Sequence, residues 1–161
     1  MTGGLAPADR IELHDLVHRY AAAVDGRDWD AASDLFVAEG RLRVPDPPRS
    51  MSPTTAAVGP AAIRALLEPL GAFALTVHHL TGSTWSADGP DGARGRTTCV
   101  AHHVERGERA PSWIWHLAYA DRAVRTPAGW LLAERDLHLR LVERGTPVLA
   151  ADPPAGVPDT P

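Results

Sequence analysis

FALTVHHLTGSTWSA (residues 73–87), RGRTTCVAHHV (94–104), WIWHLAYADRAVR (113–125) and WLLAERDLHLRLVER (130–144) are four long stretches of β-type composition. That is the composition of strands. Between them lie DGPDG (88–92), RGERAP (106–111) and TPAG (126–129), each short enough, and rich enough in turn residues, to close a hairpin. The second half of the chain therefore predicts an antiparallel meander.

Upstream of residue 73 the period changes to that of helices. Asp9 followed three residues later by Glu12 has the spacing of a capping box and opens a helix over residues 9–24. At about 100° per residue, Leu13, Leu16, Val17, Tyr20 and Val24 gather on one face, while His14 and His18 fall off its centre. Tyr20 is thus expected to point inward. Gly26 suits the left-handed residue that ends a helix. A second helix is expected from near Asp28, carrying Trp29, Ala32, Leu35 and Phe36 toward the core before Gly40. Leu42 and Val44 alternate with Arg41 and Arg43, the pattern of a short strand over residues 40–45. Residues 45–53 hold four prolines and predict an irregular flap over a pocket. A third helix fits residues 60–70, with Pro60 at its first position, Gly71 just past its end and Ile63, Leu66, Leu67 and Leu70 along its apolar edge. Three helices followed by a meander define an α+β class, the helices covering one face of a curved sheet, and not alternating βαβ units. Residues 1–8 are expected to be a flexible N-terminus, residues 9–149 one domain, and the proline-rich residues 150–161 a disordered tail.

Composition narrows the chemistry. At 161 residues, 44% of them hydrophobic and 22% charged, the chain has the make-up of one soluble globular domain. Cys99 is the only cysteine, so no internal disulfide and no cysteine-rich zinc site can form, and a cytoplasmic location is expected. No apolar run is long enough to suggest a membrane span. All 16 basic residues are arginine, and without lysine neither Schiff-base catalysis nor a GxxxxGK[ST] phosphate loop is available. A net charge of -4 with scattered arginines argues against nucleic acid as a partner.

Several local signatures add to the element order: Tyr20 and Asp25 in RYAAAVDGRDWDAASDLF, GPAAI at residues 59–63, Thr76 and His78 in TVHH, and Tyr119, Asp121, Gly129 and Trp130 in YADRAVRTPAGW. Together, over about residues 9–145, they resemble the SnoaL-like family of the nuclear transport factor 2-like superfamily, whose relatives include scytalone dehydratase, bile acid dehydratase and ketosteroid isomerase. The resemblance implies a cone-shaped barrel: a strongly bent, mainly antiparallel sheet which, with three helices from the N-terminal half, encloses a pocket. It also implies frequent dimerisation through the sheet. It does not choose a reaction, because this fold hosts dehydratases, isomerases, cyclases, epoxide hydrolases and proteins without demonstrated activity.

Within that resemblance Asp25 and His78 match the acid and imidazole that remove a proton beside a carbonyl, the carboxylate fixing the tautomer and stabilising the charged ring. Tyr20 matches a phenol that polarises the carbonyl or protonates a leaving hydroxyl. Strand parity leaves His78 open, since Phe73, Leu75, Val77 and Trp85, on the other parity, are the more apolar set. Both faces could be covered if a partner subunit packs on one, and a homodimer is expected for that reason. His103 shares its parity with Gly95, Thr97, Cys99 and Ala101, small residues that would leave room for a ligand, and resembles the second histidine of scytalone dehydratase; His102 is the rival. Phe36, Trp115 and Tyr119 are assigned to ligand contact. His14 and His18, four apart on a helix, lack the glutamate of an HExxH motif, and the neighbours His78/His79 and His102/His103 must point to opposite faces; no metal and no cofactor is expected. Cys99 is expected to be a buried structural thiol. The sequence thus points to a cofactor-independent dehydratase, isomerase or cyclase acting on a hydrophobic carbonyl-containing or hydroxylated small molecule. The alternatives are a non-catalytic binding protein with the same pocket and an epoxide hydrolase or cyclase.

Overall fold

A computed structural model describes residues 4–107 and 110–147. Among them are the helices α1 (Pro7–Asp25), α2 (Trp29–Asp34) and α3 (Pro60–Leu67), and the strands β1 (Phe36–Asp46), β2 (Ser50–Val58), β3 (Leu75–Ala87), β4 (Gly92–Val104), β5 (Ser112–Thr126) and β6 (Gly129–Gly145). The strands form one sheet in the order β2-β1-β6-β5-β4-β3. Every pairing is antiparallel except β1 with β6, which is parallel. This is the expected α+β class with the expected meander. The tail expected over residues 150–161 lies outside the described residues.

The wheel of α1 reads correctly: Leu13, Leu16, Val17, Tyr20 and Val24 are all buried, and each such side chain contributes about 1.5–3 kcal/mol by leaving water. Its start does not. The helix begins at Pro7 behind Ala6, which makes no side-chain cap, so Asp9 is not a capping residue. Its carboxylate instead accepts a hydrogen bond from Trp130 Nε1 at 3.2 Å and pairs with Arg125 at 2.6 Å, tying α1 to the β5–β6 hairpin. Those partners, Arg125 foremost, hold the Asp9 carboxyl below its usual range. The left-handed residue after α1 is Arg27 (φ 59°), and Gly26 is right-handed.

Two further expectations give way. The second helix stops at Asp34 and Phe36 begins β1. The supposed proline flap is a regular hairpin of β1 and β2 with only a short turn at residues 47–49. Proline is tolerated there because it sits where no ladder bond is lost. Pro47 and Pro48 occupy the turn, Pro45 falls where the register shifts between Val44 and Asp46, and Pro53 lies on β2, an edge strand. The third helix ends at Leu67 and continues as a tighter 3-10 segment, Glu68–Ala72.

Three bulges decide which side chains face the helices. Between Leu80 and Gly82 in β3 one extra residue is inserted opposite β4, and in β6 one is inserted at Ala133 and another at Arg140. Each insertion reverses the inward parity of its strand. In β3 this lets Thr76 and His78 turn inward before the bulge and Trp85 turn inward after it. In β6 Trp130 and Leu132 are buried on one parity, then Arg135, Leu137 and Leu139 on the other. Trp85 in turn lies flat against Gly95, where an added Cβ would come within 2.6 Å of its ring.

Candidate active site

Asp25 stands on the last turn of α1 and His78 near the start of β3. One carboxylate oxygen of Asp25 lies 2.6 Å from His78 Nδ1, and the other accepts the backbone N–H of His78 at 2.8 Å. A carboxylate at Nδ1 makes that nitrogen the protonated one in the neutral ring and leaves Nε2 as the base. The His78 side chain is 6% exposed and that of Asp25 26%. Arg27 braces the same corner, donating to the carbonyls of Phe73 and Ala74 at 2.7 and 3.0 Å.

His78 lines an inner chamber of about 120 Å³ together with Tyr20, His103, Trp115, Leu117, Tyr119 and Leu137; Val24, Val44, Pro45 and the helical leucines 66, 67 and 70 complete its wall. His103 and Trp115 also border a second, outer cavity of about 400 Å³ whose other walls are Pro47, Pro48, Met51, Phe73, Trp113 and Val142. The larger cavity is almost wholly apolar, with His103 at its edge; the smaller one adds His78, Tyr20 and Tyr119.

His103, not His102, faces inward; it is 3% exposed and its ring is 6.0 Å from that of His78 and 4.7 Å from that of Trp115. Burial, reinforced by His78 nearby, lowers its pKa to about 4, so it is a neutral imidazole near pH 7. Its buried Nδ1 has no hydrogen-bond partner among the described residues. Burial pushes the Tyr20 phenol up to about 12 and that of Tyr119 well above its ordinary value; both are therefore protonated donors. Burial also raises Cys99 to about 12, which leaves it a protonated thiol.

Phe36 stands behind Tyr20, ring to ring at 6.1 Å and edge-on, and contributes to neither of these cavities. Trp115 and Tyr119 do line the chamber. His14 and His18 are exposed on α1, where His18 Nδ1 donates to the His14 carbonyl. His79 and His102 meet each other, with rings 5.5 Å apart, on the opposite face of the sheet. Among the described residues no three His, Cys, Asp or Glu side chains are grouped to hold a metal ion.

Sequence reading gave no role to Arg135. It is 1% exposed, its guanidinium bound at two points to Asp121 at 2.8 and 2.9 Å, and it lies 4.3 Å from the ring centres of both Tyr20 and Tyr119. Desolvation opposes its charge, but the Asp121 carboxylate overcomes that and raises the pKa above the usual guanidinium value. Asp121 and Arg135 are direct cross-strand partners. The bulge at Ala133 that turns Arg135 inward has no evident signature in the sequence.

Helices laid against a mixed six-stranded sheet, with His78 held by a carboxylate on the wall of an inner chamber, define a pocket protein of the nuclear transport factor 2-like fold. Residues 7–136 match the SnoaL-like domain, and the chain belongs to that family. An uncharacterized protein of Mycobacterium tuberculosis is 29% identical over 128 residues, which is 80% of this chain and 83% of that one. A candidate scytalone dehydratase from Novosphingobium aromaticivorans superposes with a TM-score of 0.73 at 21% identity, covering 94% of this chain and 95% of its own. A hexachlorocyclohexane dehydrochlorinase, LinA type 2, does so with a TM-score of 0.74 at 16% identity, covering 93% and 96%. At these identities the two structures share the fold. No helix among the described residues is long and apolar enough to cross a membrane.

Proposed function

We propose that the protein is a cofactor-independent acid–base enzyme, a dehydratase or isomerase acting on a hydrophobic small molecule that carries a carbonyl or hydroxyl group. The observation that carries this is the contact of Asp25 with His78, whose ring lines the inner chamber. His78 Nε2 takes a proton from the carbon beside the carbonyl. The C–H electron pair moves into the new C=C bond, and negative charge develops on the carbonyl oxygen, where Tyr20 donates a hydrogen bond. Asp25 stabilises the imidazolium. The proton on His78 is then delivered to a departing hydroxyl, giving loss of water, or to another carbon, giving isomerisation. His103, neutral at pH 7, acts as a fixed hydrogen-bonding group, and Trp115 and Tyr119 hold the ligand.

Two structural relatives bear the names of elimination enzymes, a dehydratase and a dehydrochlorinase, which supports this reaction type. General-base chemistry is served by a base oriented by a carboxylate, and a purely binding protein could dispense with one. In the same reading the protein works in the cytoplasm as a homodimer. The test is a panel of aromatic and polycyclic β-hydroxy ketones and their unsaturated isomers, followed by absorbance, with His78→Ala as control. Turnover lost in that variant supports the proposal; pocket binding without turnover by the wild type overturns it in favour of a binding protein.

A further inference from the structure

Arg135 and Asp121 are buried to 1% and 0%, and neither lines the inner or the outer cavity. Yet the guanidinium lies 4.3 Å from the ring centres of two tyrosines that do line the chamber. Stability alone is a poor reason for such a pair, because apolar residues of similar volume commonly replace a buried ion pair without loss. Its position is more informative. A cation beside an aromatic ring is attracted to it and favours negative charge on that ring's oxygen. Burial acts the other way and makes each phenol a weaker acid, and so does the Asp121 carboxylate, by less than Arg135 acts in the opposite sense.

We propose that Arg135, anchored by Asp121, is a positioning residue that acts through Tyr20 and Tyr119, a fixed cation behind the two phenols that strengthens them as donors to an oxyanion forming on the bound molecule. This rests on the acid–base function proposed above. Arg135 does not touch the ligand; it sets how strongly the groups that touch it can share a proton, and its ion pair with Asp121 keeps it from moving into the chamber.

Tyr20 and Tyr119 are the only tyrosines in the chain, so replacing tyrosine globally with a difluorinated analogue labels this site alone and brings the phenols into an accessible titration range. Fluorine NMR then gives each midpoint in the wild type and in a protein carrying Asp121→Leu with Arg135→Met. The charge-free double variant is expected to titrate higher by about one pH unit, the loss of Arg135 outweighing the loss of Asp121 at both phenols, and Arg135→Lys to stay close to the wild type. Binding of para-nitrophenolate, an oxyanion probe, is expected to weaken about tenfold in the double variant, in step with a shift of that size. Midpoints that agree within a few tenths of a unit would overturn the proposal. If the double variant loses its dispersed fluorine spectrum, Asp121→Asn with Arg135→Gln, a neutral and still polar pair, decides by the same criterion. Failure of the wild type to bind the phenolate at all would count against the acid–base function of the chamber, whereas unchanged midpoints count against Arg135.

Discussion

Asp25 holds His78 at two points, one oxygen at the ring nitrogen Nδ1 (2.6 Å) and the other at the backbone N–H (2.8 Å). The second bond anchors the carboxylate to β3 itself, so the ring meets a partner whose place is fixed by main chain and not by a free side chain. Such pre-orientation is what a general base needs, since a misplaced base loses much of its effect.

His78→Ala is accordingly expected to lower turnover by roughly 10²–10⁴-fold with the fold intact. Asp25→Asn should do comparable damage, because an amide cannot stabilise the imidazolium. Ligand affinity measured by calorimetry should change little in either variant. A loss of affinity equal to the loss of rate would assign the pair to binding and not to the transition state.

His103 gives the fold a pH dependence. Its pKa is lowered from 6.5 to about 4, so between those values the unfolded chain binds a proton that the folded protein refuses. The resulting contribution to stability, at most about 3 kcal/mol, is complete above pH 6.5 and is lost as the pH falls toward 4. Thermal melts of the wild type and His103→Gln at pH 7 and pH 4.5 test this. The wild type should lose more of its Tm over that interval, and parallel losses would show that His103 is not the group responsible.

Breaking the Asp121–Arg135 pair should be costly where removing it whole is not. Asp121→Ala strands a buried guanidinium and is expected to cost roughly 3–5 kcal/mol, while Asp121→Leu with Arg135→Met should lie near the wild type. Urea denaturation compares the three. Equal destabilisation of the single and double variants would mean that packing, not charge, governs the site.

At Gly95 the constraint is steric. A Cβ there would stand 2.6 Å from the ring of Trp85, so Gly95→Ala should cost about 1–3 kcal/mol as an overpacked contact. The urea midpoint should fall and the tryptophan emission shift as Trp85 is pushed aside. An unchanged midpoint would show that the ring has room to move.

The proposed homodimer is checked by light scattering at micromolar concentration. The chain mass is 17.2 kDa, and a particle of twice that mass is expected, with the outward sheet face buried between subunits. A single species at the monomer mass would remove the sequence-based reason for a partner.

Much of the frame follows from local pattern. The inward face of α1, including Tyr20, obeys the helical period, and the four long strands and their hairpins obey strand composition and turn chemistry. Sequence favoured His103 over His102 without deciding between them; the structure turns His103 inward, and because β4 runs without a register shift against β5 its parity holds along the whole strand. Phe36, the proline hairpin and the start of α1 were misread because strand pairing and tertiary partners overrode local propensity.

What only the tertiary structure decided comes down to single inserted residues. On β3 the parity that holds Trp85 is not the one that holds His78, and the bulge between Leu80 and Gly82 lets both turn inward. On β6 the insertion at Ala133 carries Arg135 from an apparent surface position to the centre of the core. A strand alternates with period two, so one extra residue exchanges its faces. Whether that residue is accommodated depends on the neighbouring strand and the packing above it, and neither is written in the local sequence.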